Sequence, residues 1–156
     1  MSRRIAPASV RKIIRVETQP AQAFEVFTAA MGRWWLPSHS INGSPLKDVV
    51  IERRVGGRWY ERGEDGSECD WGRALVWDPP ERLVLAWQID GQWRFNGDLV
   101  TEVEVRFIAD GEHATRVELE HRNIDRFGDQ AEAVRKAFDS PEGWQGLLAR
   151  FAAAAA

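Results

Sequence analysis

Residues 82–89, Arg82-Leu83-Val84-Leu85-Ala86-Trp87-Gln88-Ile89 (RLVLAWQI), place large apolar side chains at every second position. A period of two belongs to a strand, because successive side chains of an extended chain point to opposite faces. The same period recurs in VVIERRV (49–55), RWYERG (58–63), WGRALVW (71–77), TEVEVRFI (101–108) and TRVELEH (115–121). Turn signals separate these runs at Gly56-Gly57, Asp65-Gly66, Asp78-Pro79-Pro80, Asp90-Gly91 and Asp110-Gly111. Short connections of this chemistry join antiparallel strands as hairpins. In residues 101–108, Val103, Val105 and Phe107 alternate with Glu102, Glu104 and Arg106. One face of the sheet is therefore packed and the other wet, and the packed face needs a cover.

The cover lies at the end of the chain. Ser140 is read as a cap, Pro141 as the first helical residue and Glu142 as favouring the positive end of the dipole. Trp144, Leu147, Leu148 and Phe151 follow as an i, i+3, i+4, i+7 stripe, and the closing alanines 152–156 extend the same helix. Residues 123–139 carry Phe127, Ala131, Val134 and Phe138 at near-helical spacing, which reads as a short helix or structured loop beside it. Upstream, Val10, Ile14 and Val16 share a parity, so residues 10–17 form a first or edge strand. Pro20 then opens a helix whose apolar stripe is Phe24, Phe27, Met31 and Trp34, with Gly32 marking its end and Pro37 forbidding continuation. The pattern is α+β: about seven antiparallel strands, short helices after the first strand, and a long C-terminal helix.

A length of 156 residues with 44% hydrophobic and 29% charged side chains suits one domain, spanning 1–156 with a core from about 10 to 152. The 21 basic and 24 acidic residues are mixed along the chain, without the basic stripe that a phosphate backbone requires, so nucleic acid is not an expected partner. The N-terminal MSRRIAPASVRKIIRVE lacks the apolar run of a signal peptide, and no window reaches the roughly 20 apolar residues of a membrane helix. The expectation is a cytoplasmic protein that does not bind membranes. Cys69 is the single cysteine, with no cysteine or histidine at metal-binding spacing, and reads as a spectator thiol. Helix-opening GxGxxG, Walker, HExxH and GxSxG motifs are missing, so neither a metal nor a cofactor is called for.

Eight tryptophans in so short a chain either fill a core or line a pocket. Trp77, Trp87 and Trp144 lie in register with Leu75, Leu85 and Leu148 and are assigned to packing. Trp35, Trp59, Trp71 and Trp93 each adjoin a turn, a glycine or a polar residue, and are the candidate pocket residues. His121 shares the packed face with Val117 and Leu119; it is either a buried hydrogen-bonded histidine or a ligand contact and proton carrier. Glu61, in register with Trp59, is the candidate inward carboxylate, and with His121 makes the candidate acid–base pair. His39 is a loop or rim residue, and His113 sits in a solvated turn. Glu52 with Arg54 reads as a solvent-side ion pair, and Asp70 as a hairpin residue or a polar anchor.

The ordered series FEVFTAAMGRWWLP, VGGRWYERGEDG, DWGRALVWDPPERLVLAW, TEVEVRF, TRVELEH and a final GW…LL resembles the START-like SRPBCC superfamily. Within it, the series is most similar to the branch named after the C-terminal domain of the activator of the heat-shock-protein-ninety ATPase. The resemblance runs from about Ile13 to Phe151 and implies a helix-grip fold, in which a curved sheet wraps the last helix and leaves a cavity between them. It implies three uses of such a domain: binding a small hydrophobic or aromatic molecule, cyclase- or hydrolase-type catalysis in the same cavity, or a co-chaperone-like surface for a protein partner.

Overall fold

The computed structural model describes residues 8–156; residues 1–7, the start of the segment read as free of a leader, lie outside the described residues. Seven antiparallel strands form one curled sheet in the order β1-β7-β6-β5-β4-β3-β2. They are β1 (Val10–Val16), β2 (Leu46–Ile51), β3 (Arg58–Gly63), β4 (Glu68–Asp78), β5 (Arg82–Trp87), β6 (Thr101–Ala109) and β7 (Thr115–Arg122). Every consecutive pair from β2 to β7 is hairpin-connected, so hydrogen-bonded neighbours are sequence neighbours; only β1 must cross the fold to reach its partner β7. Gly56, Gly66 and Gly111 take positive φ at three of these turns, where a side chain would be strained.

The inner face carries Leu83, Leu85 and Trp87 on β5, Val103, Val105 and Phe107 on β6, and Val117, Leu119 and His121 on β7, all buried. Against it lie α1 (Pro20–Ala29), α2 (Met31–Trp34) and α4 (Trp144–Ala155). Phe24, Phe27, Met31 and Trp34 are buried, as the stripe predicts. Phe27 meets Trp34, Phe107 and Phe151 edge-on or tilted at 5.1–5.8 Å, tying the first helices, the sheet and the last helix into one core. The expected single helix is broken at Ala30 (φ −120°, ψ 24°), two residues before Gly32. Gly32 serves close approach instead: a Cβ there would stand 2.0 Å from Asp48 Oδ1 on β2.

The C-terminal helix also begins later than the capping signal indicates. Ser140 closes the preceding helix α3 (Ala131–Asp139), its backbone N–H and hydroxyl both turned to Ala137 O. Pro141–Gly143 then make a turn, and α4 starts at Trp144. A 3₁₀ segment (Ile124–Gln130) precedes α3, so the ambiguous 123–139 region is helical throughout most of its length. On the outer face, Glu104 accepts hydrogen bonds from Arg82, Arg106 and Arg122, and Arg122 also reaches Glu102 at 2.8 Å. No helix among the described residues is long and apolar enough to cross a membrane.

Candidate functional site

The inner face is not filled to its end. Beside the end of β5, between the loop that follows α2, the β5–β6 loop and the α3–α4 turn, lies a pocket of about 370 Å³. Its walls are indole and phenyl faces: Trp35, Trp71, Trp87, Trp144, Phe138 and, at the mouth, Trp93. These rings touch in series, Trp71 to Trp35 at 5.0 Å, Trp35 to Trp144 at 5.9 Å, Trp144 to Trp87 at 5.9 Å and Trp87 to Phe138 at 5.2 Å. Interplanar angles between 46° and 79° keep them edge-on or tilted, the geometry aromatic quadrupoles favour, so each holds its neighbour in place.

The strands explain why these faces converge. Trp87 closes β5 on the inner face, and Gly72, paired with it across β4, lacks a side chain because a Cβ there would meet Ala86 O at 1.7 Å. Trp71 precedes that glycine and points inward at the bulge between β3 and β4. Trp93 stands on the β5–β6 loop with φ 62°, a left-handed conformation that costs a bulky residue roughly 1–2 kcal/mol. Asp90 holds this loop, its carboxylate accepting the backbone N–H groups of Gln92 and Arg94. Trp93 is 48% exposed although its ring reaches Phe138 at 6.3 Å.

The polar rim comes from Ser38, His39 and Ser40 on one side and from Ser140 and the turn at Glu142–Gly143 on the other. His39 spans the two sides: its Nε2 lies 2.6 Å from Glu142 O, so this nitrogen carries the proton and donates. Its Nδ1 then accepts from Ser38 Oγ at 3.3 Å, and its carbonyl accepts the Trp35 indole N–H at 3.3 Å.

Glu61 and His121 stand behind the wall. Glu61 is fully buried and accepts from Ile41 N at 2.7 Å, Asn42 N at 3.3 Å, Trp71 Nε1 at 2.9 Å and the Ser40 hydroxyl. A buried carboxylate with four donors needs no further partner, and it fastens the rim loop and one wall indole to β3. His121 is equally buried: Trp144 Nε1 donates to its Nδ1 at 3.1 Å, which leaves the proton on Nε2, donated to Thr101 Oγ1 at 2.8 Å. Thr101 passes its own hydrogen to Trp87 O at 3.2 Å. Burial pushes the imidazole down to about 3, so it is neutral and acts as a spacer between two wall tryptophans, stacked at 4.4 Å on Phe138.

Of the six residues the sequence nominates, Trp35, Trp71 and Trp93 line the pocket. Trp59 lies one layer deeper, its N–H on Met31 S at 3.3 Å and its ring against Trp71 and Trp87. Glu61 and His121 hold different indoles and share no hydrogen bond, so the expected acid–base pair does not meet. Trp87 and Trp144, assigned to packing, both pack and line. As pocket residues, Ser38, Ser40, Ser140 and Phe138 are not among those nominated; the polar LPSHS following a double tryptophan is the signal that marks Ser38 and Ser40. Asp70 pairs with Arg58 at 2.8 Å away from the pocket, Glu52 pairs with Arg54 at 3.2 Å, and His113 is exposed. Burial, with Glu61 and Asp70 nearby, raises the Cys69 thiol, which disfavours its thiolate.

A family model described as Activator of Hsp90 ATPase homolog 1-like protein matches residues 17–156. An anthrahydroquino-γ-pyrone synthase, Txn09, is 43% identical, with 96% of this chain and 97% of that one covered and a TM-score of 0.68. CalC from Micromonospora echinospora, a self-sacrificing resistance protein, is 33% identical over 94% of this chain and 93% of its own, with a TM-score of 0.69. PFC0360w, an HSP90 activator from Plasmodium falciparum, is 21% identical over 83% of this chain and 86% of its own, with a TM-score of 0.53, a likeness of fold alone. No curated protein matches the chain.

Proposed function

This chain belongs to the family of Activator of Hsp90 ATPase homolog 1-like proteins, and we propose that it binds a small, flat aromatic molecule in the pocket between sheet and C-terminal helix. The observation that carries this reading is the wall itself: five buried aromatic rings around an unfilled volume, with a sixth held in a strained backbone conformation at the mouth. A volume of about 370 Å³ falls at the small end of the range that ligand pockets occupy. Edge-to-face indoles leave ring faces for a planar guest, and strain at a mouth residue is a feature that packing alone does not call for. On this reading Glu61 and His121 position Trp71 and Trp144, and the binding domain works in the cytoplasm.

Native mass spectrometry of freshly purified protein tests it. The expected result is an extra small-molecule mass that leaves on denaturation, or, for protein stripped during purification, quenching of indole fluorescence on titration with naphthalene-class compounds. A bare mass together with unaltered fluorescence overturns the reading.

A second reading, ring closure on the bound aromatic, is favoured by the name of the 43% identical relative, a synthase. The side chains placed to handle protons at the pocket are then Ser38, His39 and Ser40, with Glu61 behind Ser40, rather than His121. The co-chaperone reading draws less support: the exposed large apolar residues Ile13 and Val55 lie at opposite edges of the sheet, Trp93 stands at the pocket mouth and Phe95 follows it on the same loop.

A further inference from the structure

Hydrogen-bond bookkeeping around the pocket points one way. Four wall indoles carry an N–H, and each is already used inside the protein. Trp35 gives it to His39 O, Trp71 to Glu61 Oε1, Trp87 to Ile89 O and Trp144 to His121 Nδ1. The rim behaves alike. His39 donates from Nε2 to Glu142 O, which makes its Nδ1 the acceptor for the Ser38 hydroxyl. The Ser40 hydroxyl gives its one hydrogen to the Glu61 carboxylate, and the Ser140 hydroxyl gives its own to Ala137 O at 2.7 Å. No lysine or arginine lines the pocket. Among the described residues, Trp93 at the exposed mouth is the one lining side chain whose donor has no protein partner.

Inside the mouth, what the side chains leave for a guest is therefore lone pairs. A serine oxygen that donates to a carboxylate keeps acceptor capacity, and the negative charge of Glu61 increases its electron density. We infer that the pocket selects aromatic molecules bearing hydrogen-bond donors at their edge, in the neutral form: phenols and hydroquinones in preference to quinones, aryl ethers and phenolates. This rests on the pocket being a ligand site, as proposed above. The discrimination has a physical basis in asymmetry. A phenol O–H finds an acceptor at the rim, whereas a quinone or ether oxygen seated inside the mouth finds no unengaged side-chain donor and loses its water without compensation. An ionised oxygen or a carboxylate is rejected more strongly, since no cation faces it.

Naphthalene, 2-naphthol and 2-methoxynaphthalene, titrated into the full-length protein at pH 7 and followed by calorimetry and indole quenching, separate the possibilities. The expected order places 2-naphthol about fivefold tighter than the other two, the worth of one net hydrogen bond. The preference falls to near parity in Ser40→Ala, or in Ser38→Ala or Ser140→Ala if the guest seats at those oxygens. The ratio of two probes within one protein is unaffected by partial loss of folded molecules. Binding of all three probes with equal affinity, or a tighter ether, overturns the donor selection and leaves the pocket reading standing. A preference that survives all three serine variants overturns the assignment to the rim. Binding of none overturns the pocket reading and this inference together.

Discussion

Trp93 shows best what a single residue contributes here. Its φ of 62° suits glycine far better than a β-carbon-bearing side chain, yet its ring stands at the mouth against Phe138. Trp93→Gly relieves that strain at the cost of a more flexible unfolded chain, so the melting temperature stays within a few degrees of the parent or rises. Affinity for an aromatic probe falls about tenfold as the stacking surface is lost, as a base–aromatic contact of similar kind would predict. Thermal denaturation and probe titration on the same preparation check both halves. Trp35 offers no such separation, because it is buried, hydrogen-bonded and packed on three other tryptophans. Trp93 was legible from the turn beside it, but the same local cue nominated Trp59, which lies behind the wall. Parity along a strand says which face a side chain takes; it does not say whether another ring stands in front of it.

The α3–α4 turn carries the corresponding lesson for elements. Ser140-Pro141-Glu142 has the composition of a helix start, and the helix begins at Trp144 because α3 ends on Ser140 and claims its hydroxyl. Gly143 is the hinge of the arrangement: a Cβ there would stand 2.3 Å from Phe138 O and 2.4 Å from Ala137 O. Gly143→Ala is expected to cost about 1–3 kcal/mol as an overpacking substitution, read as a lower urea midpoint with an unchanged slope. It also pushes the Glu142 carbonyl away from His39, so probe affinity falls in the same variant. In the sheet, by contrast, period and turn chemistry agreed with tertiary structure, and the six strand runs reappear as β2 to β7 with ends moved by a few residues. Local signals succeed there because each hairpin's partner is its sequence neighbour. They falter at 140–143, where the neighbour that decides the cap is a preceding helix competing for the same hydroxyl.

For the molecule as a whole, two buried groups set the acid limb of stability. His121 titrates near 6.5 when exposed in the unfolded chain and at about 3 in the fold. Between those values the unfolded state binds the extra proton, so stability falls with decreasing pH, by up to about 1.4 kcal/mol per unit. Glu104 runs the same way at lower pH. Burial alone would raise it, but the hydrogen bonds and charges of Arg82 and Arg122, with Arg106, hold it at about 2. Its contribution is whole above about 4.5 and is lost as pH falls through about 2. Urea denaturation across pH 7.5 to 4.5 is expected to show this decline, and His121→Phe, though less stable at neutral pH, is expected to flatten it. An equally steep decline in that variant would assign the proton uptake elsewhere.

The sequence by itself determined the class of fold, since a period of two with glycine turns and a terminal amphipathic stripe admits a wrapped antiparallel sheet and little else. It also carried three of the pocket's wall residues, through tryptophans set beside turns. Only the tertiary structure decided that Glu61 and His121 brace the wall, that Trp87 and Trp144 form part of it, and that its four buried indole donors are already spent. The physical reason is that the pocket is the unfilled remainder of a core assembled from segments more than a hundred residues apart. Depth within such a core, and the partner each polar group finds there, exist only once those segments are packed together.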